Sequence, residues 1–331
     1  MPGLPSSGVL KIWLYAIASV LLGSWAAPLL YNAGKALAEV SESKNTNSPL
    51  EWLAAVCQRT EFPEFFVASL LIAGGVLFLP FYDWLKCGRG TIFARNPQAT
   101  PGDIGSRRSV GGSQAWRQGA MGFLIVTVLF LFLAGVLFLT GALQWKGPAN
   151  PVFSFVWKGF ATALGLAILQ EKLFRGIALG TFLRAMRPEA AIAMTAVLFS
   201  LVHFLNPPPG LDVVDPDASG VGFELLRALF VSFFHPRIFL ISFLPLLALG
   251  GVLAFARWAT ASPGLSTGLH AGWIFSHILI DGFTIVRGKS IFWGSGDASL
   301  RQGIVPLGCI LLIAFLVSKL TAPRHVNDAT N

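Results

Sequence analysis

The sequence predicts an all-α, polytopic integral membrane bundle of about eight transmembrane helices. Three observations carry that prediction: 54% of the 331 residues are apolar, only 12% are charged, and the mean hydropathy is +0.67. A soluble chain carries roughly twice that share of charge. The composition excludes a disordered chain, a disulfide-stapled secreted domain and an ordinary cytosolic enzyme. Cys57, Cys87 and Cys309 share no close spacing, so neither a local CxxC site nor a disulfide framework is available.

Each element follows from a stretch nearly free of charge, since about 20 apolar helical residues are needed to cross a hydrocarbon core of about 30 Å. In chain order the candidates are residues 12–31, 65–82, 121–143, 152–183, 190–205, 238–256, 259–280 and 303–318. The fourth carries Lys158, Glu171, Lys172 and Arg175, and the fifth is short and holds His203. The first, with Lys11 at its flank, reads as a retained helix, because about 20 apolar residues is long for a signal-peptide core. Residues 224–234, apolar with Glu224 and Arg227, read equally as an interfacial helix or as an extension of the next span. Residues 96–114, rich in Gly, Pro and Ser, form the one sizeable linker, and no internal repeat is visible.

The 24 Lys and Arg against 16 Asp and Glu give a net charge of +8, and their placement sets orientation. Lys86, Arg89, Arg95, Arg107, Arg108 and Arg117 follow the second span with a single acid, Asp103, so that loop is expected in the cytoplasm. Counting from there places Arg184, Arg187, Arg257, Lys319, Arg324 and both termini inside. The loop over residues 206–223, with Asp212, Asp215 and Asp217, falls outside. The expected location is a bacterial cytoplasmic membrane. The basic surplus reports topology and contact with anionic membrane lipids, and nucleic acid is not an expected partner.

Ionisable groups at membrane depth are costly, so they usually face the bundle interior and either pair or carry function. Glu171 and Arg175 are spaced i, i+4 on one helical face, which on its own fits an internal ion pair. His203 stands among apolar neighbours in the fifth span. His270 and His277 are close to two turns apart, on one face with Trp273 between them. His235, at the margin of the sixth span, reads as interfacial. The short turn at residues 185–189 makes the fourth and fifth spans antiparallel neighbours, which puts residues 170–171 and His203 at one depth, about 20 Å from the cytoplasmic end. His270 reaches about 19 Å if its helix begins just after Arg257. A carboxylate, an arginine and two histidines therefore converge on one buried layer. A carboxylate and an imidazole in a partly dry cavity are the parts that activate water, and peptide hydrolysis within the membrane is the matching reaction class. A zinc site with three ligands and an open water position is the competing chemistry, without an HExxH motif to support it. No cofactor is otherwise expected.

Three motifs then carry a resemblance. Gln170–Gly176 reads QEKLFRG, Phe199–His203 reads FSLVH and His270–Ile274 reads HAGWI, in the order and spacing of the EExxFRG, FxxxH and HxxxN motifs of the CPBP intramembrane proteases, which include the type II CAAX prenyl endopeptidases and abortive-infection proteins. The resemblance implies a glutamic-type endopeptidase acting on a membrane-associated protein or peptide. By position it assigns catalysis to Gln170, Glu171, Arg175, His203 and His270, and the substrate and oxyanion environment to Phe174, Phe199 and Ile274, with His277 a turn further on. It divides the chain into an N-terminal part with three helices and the basic loop (residues 1–150), core helices (151–285), and a last helix with its tail (286–331). Two positions depart from the motif. Gln170 replaces the first Glu and has no titratable proton near neutral pH, and Ile274 replaces the Asn. Glu171 is retained but projects about 100° away from residue 170 on a regular helix. Three explanations follow: a local helix distortion hands the base role to Glu171, an engineered change stands at Gln170, or the chain is a silent binding or immunity protein. A proton-coupled transporter using Glu171 and the histidines is a further class, disfavoured by the lack of an inverted repeat.

Overall fold

The computed structural model describes residues 7–42, 49–86, 112–147, 151–207, 211, 213, 215–287, 289–290, 292, 294–295 and 300–321. The helices are α1 (Ser7–Glu42), α2 (Pro49–Arg59), α3 (Phe62–Lys86), α4 (Gly112–Leu139), α5 (Val152–Glu171), α6 (Leu179–Ala185), α7 (Pro188–Phe204), α8 (Val221–Phe233), α9 (Pro236–Ile238), α10 (Leu244–Thr260), α11 (Pro263–Phe283) and α12 (Ile304–Thr321). Two π-helical segments interrupt this pattern: Lys172–Ala178 joins α5 to α6, and Phe239–Phe243 joins α9 to α10. Strand β1 (Leu143–Trp145) pairs antiparallel with β2 (Thr284–Val286), and β3 (Lys289–Ser290) with β4 (Gly294–Ser295). Cys87, Arg89, Arg95, Asp103, Arg107, Arg108, Asp212 and Arg324 lie outside the described residues, as does the expected linker up to residue 111.

The chain is a multi-pass helical membrane bundle. Among the described residues six helices are long and apolar enough to cross a membrane: Ser7–Ser41, Phe62–Leu85, Gly112–Leu139, Val152–Ala185, Pro236–Thr260 and Ile304–Thr321. The other two expected spans are helical but fall outside that set. At 17 residues α7 is short, and α11, although 21 residues long, carries Ser266, His270, Ser276, His277 and Asp281. Hydropathy gave no hint of α2, which includes Glu51, Gln58 and Arg59. Gly112 to Gln114, expected in the linker, already form the first turn of α4. Residues 221–233 form a helix of their own that ends before the turn at Phe234–His235, which settles the two open readings against an extension of the next span.

The described residues fall into two compact units, one within Met1–Ala94 and Leu201–Ile238, the other within Arg95–Ser200 and Phe239–Asn331. In the first, α1 packs along α3 and α8. A Cβ on Gly222 of α8 would lie 1.9 Å from the Ser24 carbonyl oxygen of α1, so the two backbones touch. Ser69 donates to the Gly23 carbonyl (2.6 Å) and Tyr15 to that of Gly74 (2.8 Å). The ammonium of Lys35 closes the end of α2 by donating to the carbonyls of Cys57, Gln58 and Thr60 at 3.1, 3.0 and 2.9 Å. Phe62, Phe66, Val221, Leu225 and Leu229 form the apolar core of this unit.

In the second unit, α4 lies against α11 along a stripe of glycines. Gly264, Gly268 and Gly272 recur every fourth residue, and a Cβ on each would come within 2.0, 1.9 and 2.7 Å of the carbonyl oxygens of Ala115, Gly119 and Phe123. Small residues at this spacing let helix backbones approach where lipid offers no hydrophobic drive for association. Phe130, Leu253, Leu265, Leu269 and Ile310 fill the surrounding core, with Phe130 edge-on to Trp273 at 4.8 Å. The entry to α11 is set by Ala261 in the left-handed region (φ 51°) and by the Ser262 hydroxyl, which accepts from the Gly264 amide at 3.2 Å ahead of Pro263. This cap corrects the expected start of the seventh span: α10 runs on to Thr260, so His270 lies only about two turns into α11.

The glycine stripe makes a prediction. Gly268→Ala should lower thermal stability in detergent by about 1–3 kcal/mol, the usual cost of overpacking. Gly251→Ala, at a site where an added Cβ meets nothing within 4 Å, should leave the melting temperature unchanged or raise it. Equal melting temperatures for Gly268→Ala and the wild type would contradict the close contact.

Candidate functional site

The regular helix of α5 ends at Glu171, and the π-helical segment begins with the next residue. The Lys172 amide faces the carbonyls of both Ile168 and Leu169, so the backbone bonding pattern changes at this point. Such segments concentrate at functional sites because they re-aim side chains that a regular helix would place elsewhere. Here the distortion directly follows the only carboxylate of α5, while Gln170 and Glu171 both remain within the regular helix.

Glu171 and Arg175 are 4% and 3% exposed, and the Arg175 Nη1 lies 3.0 Å from Glu171 Oε1. His270 Nδ1 meets the same oxygen at 2.9 Å, across 99 residues of sequence. Arg175 Nη2 donates to the Gly250 carbonyl of α10 at 3.2 Å. Ser266, one turn before His270 on α11, faces the carboxylate as well, and its hydroxyl donates to the Pro263 carbonyl at 3.2 Å. The aromatic lining is continuous: the Arg175 guanidinium sits 4.6 Å from the ring centre of Phe199, which is edge-on to Phe174 at 5.2 Å and to His270 at 5.7 Å.

Burying a carboxylate without partners in a low-dielectric interior costs several kcal/mol, and one guanidinium with one imidazole at hydrogen-bond distance offsets it. Both partners converge on Oε1. Among the described residues Glu171 Oε2 has no hydrogen-bond partner, and neither do Gln170 Oε1 and Arg175 Nε, all three being buried. Proton-accepting and proton-donating atoms of Gln170, Glu171 and Arg175 are thus left without hydrogen-bond partners among the described residues, beside one ion pair.

The structure therefore brings together Glu171, Arg175, His270, Phe174 and Phe199. His203 occupies the last turn of α7, half-buried, in the stretch that belongs to the first unit. His277 is placed elsewhere: its ring nitrogens lie 2.7 Å from the Trp273 carbonyl and 2.9 Å from that of Leu300, and its ring packs on Trp273 and Phe130. That is a structural position tying α11 to the chain ahead of α12. Ile274 packs against the apolar core of the second unit. Three residues near the carboxylate were not singled out from sequence: Ser266, Gly250 and Arg257. Spacing of four residues from His270 was a usable signal for Ser266, whereas Gly250 contributes only a carbonyl and left none. Among the described residues no three His, Cys, Asp or Glu side chains gather as a metal-ligand set.

Residues 152–276 match the family model described as type II CAAX prenyl endopeptidase Rce1-like. This segment is similar to the Rce1-like family. The match spans every residue of the buried cluster, together with Gln170, His203 and Ile274, and stops one residue short of His277. The match agrees with the resemblance that the three motifs carry. No curated protein and no solved structure matches the chain.

The ion pair at the centre of the Rce1-like segment should be a stability determinant. Arg175→Met leaves the Glu171 carboxylate buried without its cation and should cost about 3–5 kcal/mol of unfolding free energy. Adding Glu171→Leu to that variant should recover part of the loss. Chemical denaturation of both variants in detergent measures this, and an Arg175→Met protein as stable as the wild type would contradict the arrangement.

Proposed function

We propose that the chain is an intramembrane endopeptidase that hydrolyses a peptide bond in a membrane-associated protein or peptide. The observation carrying this reading is the Glu171 carboxylate, buried at the start of a π-helical segment, clamped through Oε1 by Arg175 and His270 and with Oε2 unengaged among the described residues. Arg175 and His270 hold the carboxylate in a fixed orientation, so that Oε2 is the atom to accept a proton from an attacking water. The water oxygen adds to the substrate carbonyl carbon, and the proton passes to the departing amine as the tetrahedral intermediate collapses. By the FxxxH motif alone, His203 is a second proton-handling residue of the chain. Phe174 and Phe199 form an apolar wall that excludes bulk water and strengthens each polar contact inside.

A second reading has its own observation in favour. Gln170 stands at the place of the first Glu of the motif and Ile274 at that of its Asn, so the domain works as a silent membrane binding or immunity protein in which Glu171 and Arg175 serve stability alone. The two readings differ in one assay: purified protein in detergent with a quenched fluorescent, lipidated peptide. On the protease reading the wild type cleaves, and Glu171→Gln and His203→Ala each reduce the rate by about 10²-fold or more, the usual share of acid–base catalysis. On the silent reading the wild type does not cleave, and Gln170→Glu introduces activity. A His203→Ala rate equal to the wild type would remove His203 from the mechanism.

A further inference from the structure

Helix α2 carries an apolar face that the described residues leave uncovered: Trp52, Leu53 and Val56 are 70%, 41% and 41% exposed. On a regular helix these three fall within an arc of about 100°. Ala54 and Cys57, both buried, lie on one flank of that arc, and a Cβ on Gly34 of α1 would sit 3.4 Å from the Cys57 sulfur. Glu51, Ala55 and Gln58 take the opposite side. The helix therefore has three sides: one against the bundle, one apolar and open, and one polar. That cross-section suits a helix lying flat at the edge of a membrane beside the spans it connects.

Depth says what covers the open side. On α1, Lys35 lies 24 residues beyond Lys11, a rise of about 36 Å against a hydrocarbon core of about 30 Å. Each ammonium is held by carbonyls at one end of the span formed by α3. Lys11 donates to the Trp84 carbonyl at 2.6 Å, and Lys35 to those of Cys57, Gln58 and Thr60, just ahead of Phe62. The two lysines thus mark the two boundaries of the hydrocarbon, and α2 ends at the second. Between them Leu21, Trp25 and Leu29 of α1 are exposed at one-turn spacing, which gives this unit its lipid side.

We propose that α2 is an interfacial helix whose Trp52, Leu53 and Val56 insert between headgroups and acyl chains of the leaflet where α1 and α3 emerge. An indole suits this level because its ring is apolar while its N–H reaches a polar partner. Trp52 is the anchor, and Lys35 fixes the end of α2 to α1, so the lipid contact also sets the depth of both spans. The proposal is independent of the endopeptidase reading.

The test uses the full chain in vesicles of phosphatidylcholine and phosphatidylglycerol, in a Cys57→Ala, Cys87→Ala, Cys309→Ala background, with a nitroxide attached to one introduced cysteine at a time. Labels on Trp52→Cys, Leu53→Cys and Val56→Cys should be several-fold more accessible to oxygen than to a soluble nickel chelate. Labels on Glu51→Cys, Ala55→Cys and Gln58→Cys should show the reverse. Equal access of the chelate to all six positions would place the apolar face in water, and exclusion of both reagents from the first three would assign it to another protein or a second copy of this chain. Either result overturns the proposal. A second measurement keeps the native cysteines: the fluorescence lost in Trp52→Phe should be quenched more by phosphatidylcholine brominated near the headgroup than at the chain ends. No quenching, or stronger quenching from the chain ends, would likewise overturn it.

Discussion

A carboxylate buried in a membrane bundle must be matched or it will not stay buried, and the second unit of this protein is arranged around that requirement at Glu171. Arg175 and His270 reach the same carboxylate oxygen from different helices, so the ion pair is also a tether between the π-helical segment and α11. Gly250 extends the tether to α10 by accepting from Arg175. Three helical elements are therefore fixed by one charge. The glycine stripe of α11 acts on the same helix from the opposite partner, holding α11 against α4 with backbones in contact on either side of His270.

The π-helical turn carries Arg175 and lies directly after Glu171, within the compact charged centre. A regular α5–α6 helix would set Glu171 about 100° from residue 170 and leave the motif geometry displaced. The carboxylate meets Arg175 and His270, and the change of winding begins at the next residue. Gln170 remains beside it with a buried, unengaged carbonyl oxygen, where it marks the position that a second carboxylate would have to share with Glu171. Two carboxylates so close do not readily ionise together, so retaining only one simplifies the electrostatics around Arg175.

Much of this was legible in the sequence, and the misses have physical reasons. Low charge and long apolar stretches identified the bundle, and helix boundaries at the turn before Pro188 were readable from the break in hydropathy. The pairing of Glu171 with Arg175 followed from spacing, and its meeting with His270 from depth. That depth was misjudged, because the cap at Ser262 and Pro263 delays the start of α11, which hydropathy does not register. Periodicity put His277 on the same face as His270, but positions two turns apart on one helix face touch different neighbours, and His277 meets the Leu300 carbonyl. The π-helical segments, the β1–β2 pairing and the small-residue contact of α4 with α11 depend on backbone approach across the fold, for which local composition is a weak guide.

The measurement that tests the central claim most directly is a double-mutant cycle between Glu171 and His270, using Glu171→Gln, His270→Asn and the combination, with unfolding free energies determined in detergent. A shared buried hydrogen bond predicts that the two changes are coupled by about 0.5–3 kcal/mol. Strict additivity would show that the two side chains do not meet and would contradict the arrangement on which the site is built.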